Sequence, residues 1–288
     1  MKAWLGSGEG GGLLELADAR VSVLDRGFTV GDGLFETMKL VEGRVFLWPW
    51  HLERLQQAAQ LLRLPIPEGN LLTDVVQQVA VANGAAIGSL GRLRLTVTAG
   101  PDQGAATVSC VALVEQPPFG AAALTLVGWP RNERSPLVAV KSTSYAENLL
   151  ALQAARAGGA AEAVFFNTRD ELAEGATSNL FIVEDGVVVT PPTSAGLLPG
   201  VTRRFVLGLA AADLSMVEEP ISRARLAAAD EVFLTSSLQD VRAVGSVGDR
   251  SYPLGPVTSL VQDRFARAAS TVMLDRGVAG AADGFSPP

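Results

Sequence analysis

The chain has 288 residues, of which 48% are hydrophobic, enough for a sizeable core in one or two domains and too many for a disordered chain. Its net charge of −7 and pI of about 4.9 repel phosphate backbones and argue against a nucleic-acid partner. No apolar run approaches the ~20 residues of a membrane helix, no secretory pattern follows Met1-Lys2-Ala3-Trp4-Leu5-Gly6, and the single cysteine, Cys110, has no internal disulfide partner, so the expected location is the cytoplasm.

In chain order, residues 35–41 and 44–47 read as strands around the hairpin turn Glu42-Gly43. Residues 51–63 read as a helix, with Leu52, Leu55, Ala59 and Leu62 at helical spacing and Pro65 closing it. A second helix spans 71–82, with Leu72, Val75, Val76 and Val79 inward and Asn83-Gly84 as its stop. Residues 92–99 alternate strictly, Arg92, Arg94, Thr96 and Thr98 against Leu93, Leu95 and Val97, as a half-buried strand does. Residues 106–114 form the next strand. Glu115-Gln116-Pro117-Pro118-Phe119-Gly120 then suits a linker.

Beyond it, 124–128 and 137–141 read as strands and 146–157 as an amphipathic helix. Three or four strands follow, with turns at Asn167-Thr168-Arg169-Asp170 and Asp185-Gly186. A helix over 201–212, a strand over 231–234 and a helix over 257–273 complete the pattern. The class is α+β in two parts: an N-terminal α/β domain over 1–115, a linker over 116–122, and a C-terminal domain over 123–288 with a loose tail from about Gly277.

Only three of the 23 basic residues are lysines: Lys2, Lys39 and Lys141. Lys141 closes the apolar run Leu137-Val138-Ala139-Val140. Desolvation at such a strand end disfavours the ammonium and makes the free amine available, as a Schiff base with an aldehyde requires. Read alone, it is more often an ordinary lysine extending from a strand end, and its surroundings change that balance. Downstream, Glu174 sits among small residues in Ala173-Glu174-Gly175-Ala176, where a carboxylate can approach a pyridine nitrogen and keep it protonated; it is otherwise a solvated turn residue.

Leu198-Pro199-Gly200-Val201-Thr202-Arg203 reads as a helix start whose backbone N–H groups face an anion, with the Thr202 hydroxyl added. The loop Thr235-Ser236-Ser237 offers further hydroxyls. Arg54 could pair with a phosphate or with a carboxylate one turn away on its own helix.

Together these segments resemble the fold-type IV pyridoxal-phosphate family, which includes branched-chain aminotransferases, D-amino-acid aminotransferases and 4-amino-4-deoxychorismate lyases. The matching pieces run in order from about residue 20 to 245. They are Asp25-Arg26-Gly27-Phe28, Gly31-Asp32-Gly33-Leu34-Phe35-Glu36-Thr37, His51-Leu52-Glu53-Arg54-Leu55, and Lys141-Ser142 with Tyr145 and Asn148. They continue with Glu174-Gly175 and Ser178-Asn179-Leu180-Phe181, Leu198 to Arg203, and Ala229-Asp230-Glu231-Val232-Phe233.

The resemblance implies a smaller N-terminal α/β domain, a larger C-terminal domain with a barrel-like sheet, and a homodimer. It implies that Lys141 holds the cofactor and shuttles the proton. Glu174 would meet the pyridine nitrogen, and Tyr145 would stand near the 3-hydroxyl. Arg54, the backbone of Val201 and Thr202, and Ser237 would hold the phosphate.

Three features bear on the reaction. Val30 stands before Gly31-Asp32-Gly33, where many branched-chain enzymes carry an aromatic side chain. Tyr145 lies four places after Lys141, a spacing like that of the lyases. The stretch from Thr98 to Gly104 lacks the Arg and His of the D-amino-acid enzymes. The leading expectation is a lyase that forms 4-aminobenzoate and pyruvate in folate biosynthesis. The alternative is amino transfer from a branched-chain or D-amino acid to a 2-oxo acid. Arg92 and Arg94 share a strand face, where they bind substrate carboxylates or pair with acidic neighbours. A binding module without catalysis is the reading from another class, and the presence of both Lys141 and Glu174 speaks against it.

Other features carry less. His51, the only histidine, begins a helix and reads as structural or at most near the phosphate. Cys110 sits in a buried-strand pattern and reads as core. No cluster has metal-ligand spacing. Gly31-Asp32-Gly33 is not followed by a nucleotide-loop Lys-Ser/Thr. Trp48, Pro49 and Trp50 read as packing at a domain edge or dimer contact.

Overall fold

The computed structural model describes residues 1–7, 10–88, 90–101, 105–116 and 120–275. Part of the expected linker, Asp102 to Gly104 of the expected substrate loop, and the expected loose tail lie outside the described residues. The chain divides into two compact units. Among the described residues, the first comprises 1–116, 140–144 and 271–275, and the second holds 120–139 and 145–270.

The first unit is built from β1 (Lys2–Ser7), β2 (Gly10–Glu15), α1 (Arg26–Thr29), β3 (Gly33–Val41), β4 (Arg44–Val45), α2 (Trp48–Leu62), α3 (Gly69–Ile87), β5 (Gly91–Thr98) and β6 (Thr107–Val114). Its sheet has the order β2-β1-β6-β5-β3-β4, with every pairing antiparallel. Glu42 and Gly43 both take positive φ, as the two-residue hairpin between β3 and β4 requires. Leu93, Leu95 and Val97 all face inward, and Cys110 lies among them. Leu72, Val75, Val76 and Val79 of α3 complete this core with no exposure, each contributing ~1.5–3 kcal/mol by burial.

Helix α3 does not stop at Asn83-Gly84 but runs on to Ile87. The Asn83 side chain accepts from Lys2 N at 2.8 Å and donates to Lys2 O at 2.9 Å and to Val79 O at 2.8 Å, so it ties the middle of the last turns to β1 rather than ending the helix. Trp48 and Pro49 open α2, and the Trp48 indole donates to Thr73 Oγ1 at 3.0 Å.

The second unit contains β7 (Ala122–Leu126), α4 (Ala146–Ala157), β8 (Glu162–Phe166), β9 (Leu172–Gly175), β10 (Asn179–Glu184), β11 (Val187–Thr190), α5 (Val201–Leu207), β12 (Met216–Glu218), α6 (Arg223–Ala228), β13 (Glu231–Ser236), β14 (Asp240–Val247), β15 (Arg250–Ser251) and, as far as Ser270, α7 (Pro256–Asp275). Its mixed sheet runs β12-β11-β10-β13-β14-β7-β8-β9, with β15 paired to β14. The fold is α+β with two curled sheets. Helix α5 ends at Leu207, short of the expected Ala212, because Gly208 caps it and Ala211 and Leu214 close a tight turn.

The expected strand over 137–141 is not formed. Residues 136–139 turn instead, with Ala139 at φ 66°. Pro136 lacks the N–H that a ladder needs. Val140 nevertheless packs on the first unit's core, and Lys141 and Ser142 lie along the edge of β3.

Candidate active site

Lys141 is fixed by its backbone. Its carbonyl accepts from Phe35 N at 2.9 Å, Thr143 N donates to Gly33 O at 2.8 Å, and Ser142 bridges to Leu34. Its half-buried side chain places Nζ 4.5 Å from the Phe35 ring centroid. The Arg94 guanidinium lies 3.8 Å from the same ring. Phe35 thus carries two cations, reached from the strand partners on its two sides.

Behind this ring, on the core face of β3, stands a charged row member. Leu34, Glu36, Met38 and Leu40 alternate inward, and Glu36 is 1% exposed. Arg54 answers it with two prongs, Nε to Oε1 at 2.9 Å and Nη2 to Oε2 at 2.6 Å. Burial opposes ionisation of Glu36, but Arg54 and the hydrogen bond from His51 outweigh it and hold the carboxyl at about 2. Burial, with lesser contributions from the Arg54 and Lys141 charges, holds His51 below the ordinary histidine range. Because Glu36 is an ionised acceptor, His51 Nδ1, 2.7 Å from Oε2, must carry the donated proton.

The two short N-terminal motifs lock together. Arg26 Nε donates to Asp32 at 2.9 Å, and Asp25 caps α1 at Gly27 N while accepting from Thr98 Oγ1. Gly31 has φ 69°, and its carbonyl accepts from Thr143 Oγ1 at 2.8 Å and Ser144 Oγ at 3.1 Å. A Cβ there would lie 2.4 Å from Ser144 Oγ, so only glycine allows this approach to the lysine segment. Val30, just before it, is 61% exposed. Arg92 faces the acidic Glu115 at 3.5 Å, whereas Arg94 lies over Phe35.

In the second unit, Glu174 is 9% exposed; its Oε2 accepts from Leu198 N at 2.9 Å, and its Oε1 stands 3.4 Å from Arg131 Nη2. The Tyr145 hydroxyl and Asn148 Nδ2 both donate to the Ala176 carbonyl at 2.8 Å. Asn179 donates to Leu198 O, and a Cβ on Gly200 would meet Asn179 Oδ1 at 2.0 Å. Gly200 opens α5 without a side-chain cap; Val201 and Thr202, both buried, are its first residues. Thr235 and Ser236 belong to β13, and Ser237 begins the turn after it. The fully buried Thr235 Oγ1 has no hydrogen-bond partner.

The first unit therefore brings together Lys141 and Arg94 about Phe35, and Arg54 with Glu36. The second unit joins Glu174 and Tyr145 through intervening groups, while Val201 and Thr202 stand at the helix start. Sequence reasoning did not find Glu36 as the partner of Arg54, nor Arg131 beside Glu174. A charge in the inward row of β3 was the available signal for the first.

The class IV amino-transferase family profile matches residues 33–247. The chain belongs to this family. A putative branched-chain-amino-acid aminotransferase of Methanocaldococcus jannaschii is 31% identical over 273 residues, covering 88% of this chain and 93% of that protein. The aminodeoxychorismate lyase of Bacillus subtilis is 29% identical, over 93% of this chain and 96% of its own. Among solved structures, the branched-chain aminotransferase of Thermoproteus uzoniensis with norvaline superposes with a TM-score of 0.86 at 29% identity, covering 94% of this chain and 95% of that one.

Class IV members are pyridoxal-phosphate enzymes, and this chain is one of them. Each unit offers groups of the kind the cofactor needs: an amine at Lys141 in the first, and in the second a buried carboxylate at Glu174 and a buried hydroxyl at Thr235 with no hydrogen-bond partner. Among the described residues, no helix is long and apolar enough to cross a membrane.

Proposed function

We propose that the protein is an aminotransferase that moves the amino group of a branched-chain or similar apolar amino acid to a 2-oxo acid. The observation that carries this reading is the placement of Lys141, pinned to β3 with its amine over Phe35, in a segment whose Thr143 and Ser144 hydroxyls bond the Gly31 carbonyl next to the exposed Val30. The names of the archaeal relative and the norvaline-bound structure favour this reaction over the lyase expected first.

Pyridoxal phosphate supplies an aldehyde for amines and a ring that accepts the electrons of a broken C–H bond. Lys141 Nζ takes the proton from the amine-bearing carbon of the substrate. Glu174 keeps the proton on the ring nitrogen, and Tyr145 stands at the 3-hydroxyl. Arg54, Val201, Thr202 and Ser237 hold the phosphate. Arg94, rather than the Glu115-paired Arg92, receives the substrate carboxylate, and Val30 touches the apolar side chain. The exposed Val23, Leu24 and Phe28 beside Val30 suit burial against a second copy of the chain, in keeping with a homodimer.

A second reading, 4-amino-4-deoxychorismate lyase, is favoured by the Bacillus subtilis relative and by the spacing of Tyr145 from Lys141. One substrate screen separates them. Transfer from leucine to 2-oxoglutarate without 4-aminobenzoate release from aminodeoxychorismate supports the aminotransferase. Release of 4-aminobenzoate and pyruvate without leucine transfer overturns it.

A further inference from the structure

We propose that Glu162 is a positioning residue that sets the Tyr145 hydroxyl through a single peptide plane, the one joining Ala176 to Thr177. Its consequence for the cofactor rests on the reading of Tyr145 given above.

Glu162 opens β8 and is 2% exposed. Four donors meet its carboxylate. Oε1 accepts from Ala163 N at 3.0 Å. Oε2 accepts from Thr177 Oγ1 at 2.6 Å, from Thr177 N at 3.1 Å and from Ser178 Oγ at 3.1 Å. Three of the four thus belong to the turn between β9 and β10. The same turn is closed by Gly175 N donating to Ser178 O at 2.7 Å, and is tied to β8 by Ala176 N donating to Ala163 O at 3.0 Å.

The Thr177 N–H and the Ala176 C=O are the two ends of one planar trans peptide and point in opposite directions. Glu162 holds the N–H end. At the other end the Tyr145 hydroxyl and Asn148 Nδ2 both donate to the carbonyl at 2.8 Å. Tyr145 is the N-cap of α4 and Asn148 lies in its first turn, so this one plane joins the helix start to the turn. A carboxylate on the N–H also polarises the peptide and strengthens its carbonyl as an acceptor. A rotation of the plane at Glu162 is therefore felt at the Tyr145 oxygen.

The turn requires an acceptor at both carboxylate oxygens. Glutamine has the same shape but carries an NH2 at one of the two positions. Whichever way its amide is turned, that NH2 faces at least one of the four donors, and a hydrogen bond is lost.

The test uses the holoenzyme grown with tyrosine carrying 13C at Cζ. The chain has two tyrosines, Tyr145 and Tyr252, so two signals are read, and Tyr252→Phe assigns them. The Tyr252 hydroxyl donates to Leu226 O at 2.8 Å, away from the turn, and serves as the internal reference. Glu162→Gln should move the Tyr145 signal and leave that of Tyr252 in place. It should also raise the dissociation constant of pyridoxal phosphate about tenfold, as loss of one hydrogen bond does. In the Tyr145→Phe background the same change should raise it no further, because Glu162 acts through Tyr145.

An unmoved Tyr145 signal would overturn the proposal. So would an equal loss of affinity in both backgrounds, or an affinity that ignores Glu162→Gln while responding to Tyr145→Phe. Should Glu162→Gln fail to fold, Thr177→Val removes only the 2.6 Å donor and should move the Tyr145 signal in the same way. If Tyr145→Phe alone leaves the affinity for pyridoxal phosphate unchanged, the reading of Tyr145 at the cofactor has failed, a result distinct from a Tyr145 signal that ignores Glu162.

Discussion

Arg54 spans from the middle of α2 to the core face of β3 and clasps both carboxylate oxygens of Glu36. Removing one partner strands the other charge in a water-poor interior. Glu36→Gln should therefore cost about 3–5 kcal/mol of stability, read as a lower denaturation midpoint in urea. On the proposed phosphate role of Arg54, it should also weaken retention of pyridoxal phosphate more than that of pyridoxal.

The same pair governs the acid limb of stability. The Glu36 carboxyl is depressed from 4.5 to about 2 by folding, so the unfolded state binds the proton more readily. Its contribution is complete above 4.5 and is lost as pH falls toward 2, a span of roughly 3 kcal/mol. His51 is also depressed below 6.5, so stability begins to fall once the pH drops below 6.5, where the unfolded histidine gains a proton that the folded one refuses. Urea midpoints measured from pH 7 to 3 should decline throughout, and His51→Gln should flatten the upper part of that decline.

Much of this architecture was legible in the sequence. Leu72, Val75, Val76 and Val79 repeat at helical spacing and are fully buried on α3, and the alternation of residues 92–99 is the alternation of β5. The run before Lys141 misled because apolar content does not distinguish a strand from a packed turn. Pro136 and the left-handed Ala139 decide the matter locally. Contacts between distant positions were not legible. Nothing near Glu174 announces that Arg131, forty-three places earlier, will face it, and Glu36 is marked only as a charge in an inward row, without its partner Arg54. Strand β14 went unread although Val241, Val244 and Val247 are buried, because its irregular burial does not follow strict alternation.

Ala139 adopts φ 66° where the chain passes from one unit into the other. A left-handed alanine costs roughly 1–2 kcal/mol, and glycine gives back part of that in unfolded-chain entropy. Ala139→Gly should raise the melting temperature slightly, corresponding to about 0.5–1 kcal/mol, with the borohydride-trapped yield at Lys141 unchanged.

Gly31→Ala should behave oppositely. The new methyl would press on Ser144 while the backbone remains left-handed. The expected result is a loss of about 1–3 kcal/mol and a fall in transamination rate. Adding Ser144→Ala should recover only part of the stability, since removing the hydroxyl relieves the clash but not the backbone strain.

On the proposed function, Lys141→Ala should abolish borohydride trapping and lower the transamination rate by at least about 10²–10⁴-fold. Added methylamine, entering the vacated space as a free base, should recover a measurable part of the rate.

The short visit of Val140–Ser144 to the first unit has a consequence for dissection of the gene. A polypeptide severed near position 115 would leave Gly33, Leu34 and Phe35 with a raw strand margin, because β4 covers only the far end of β3. Such a fragment would self-associate through that margin instead of standing alone. Soluble halves would require reassembly with a complementary fragment that still bears residues 140–144, so the short lysine segment is also part of the first unit's scaffold.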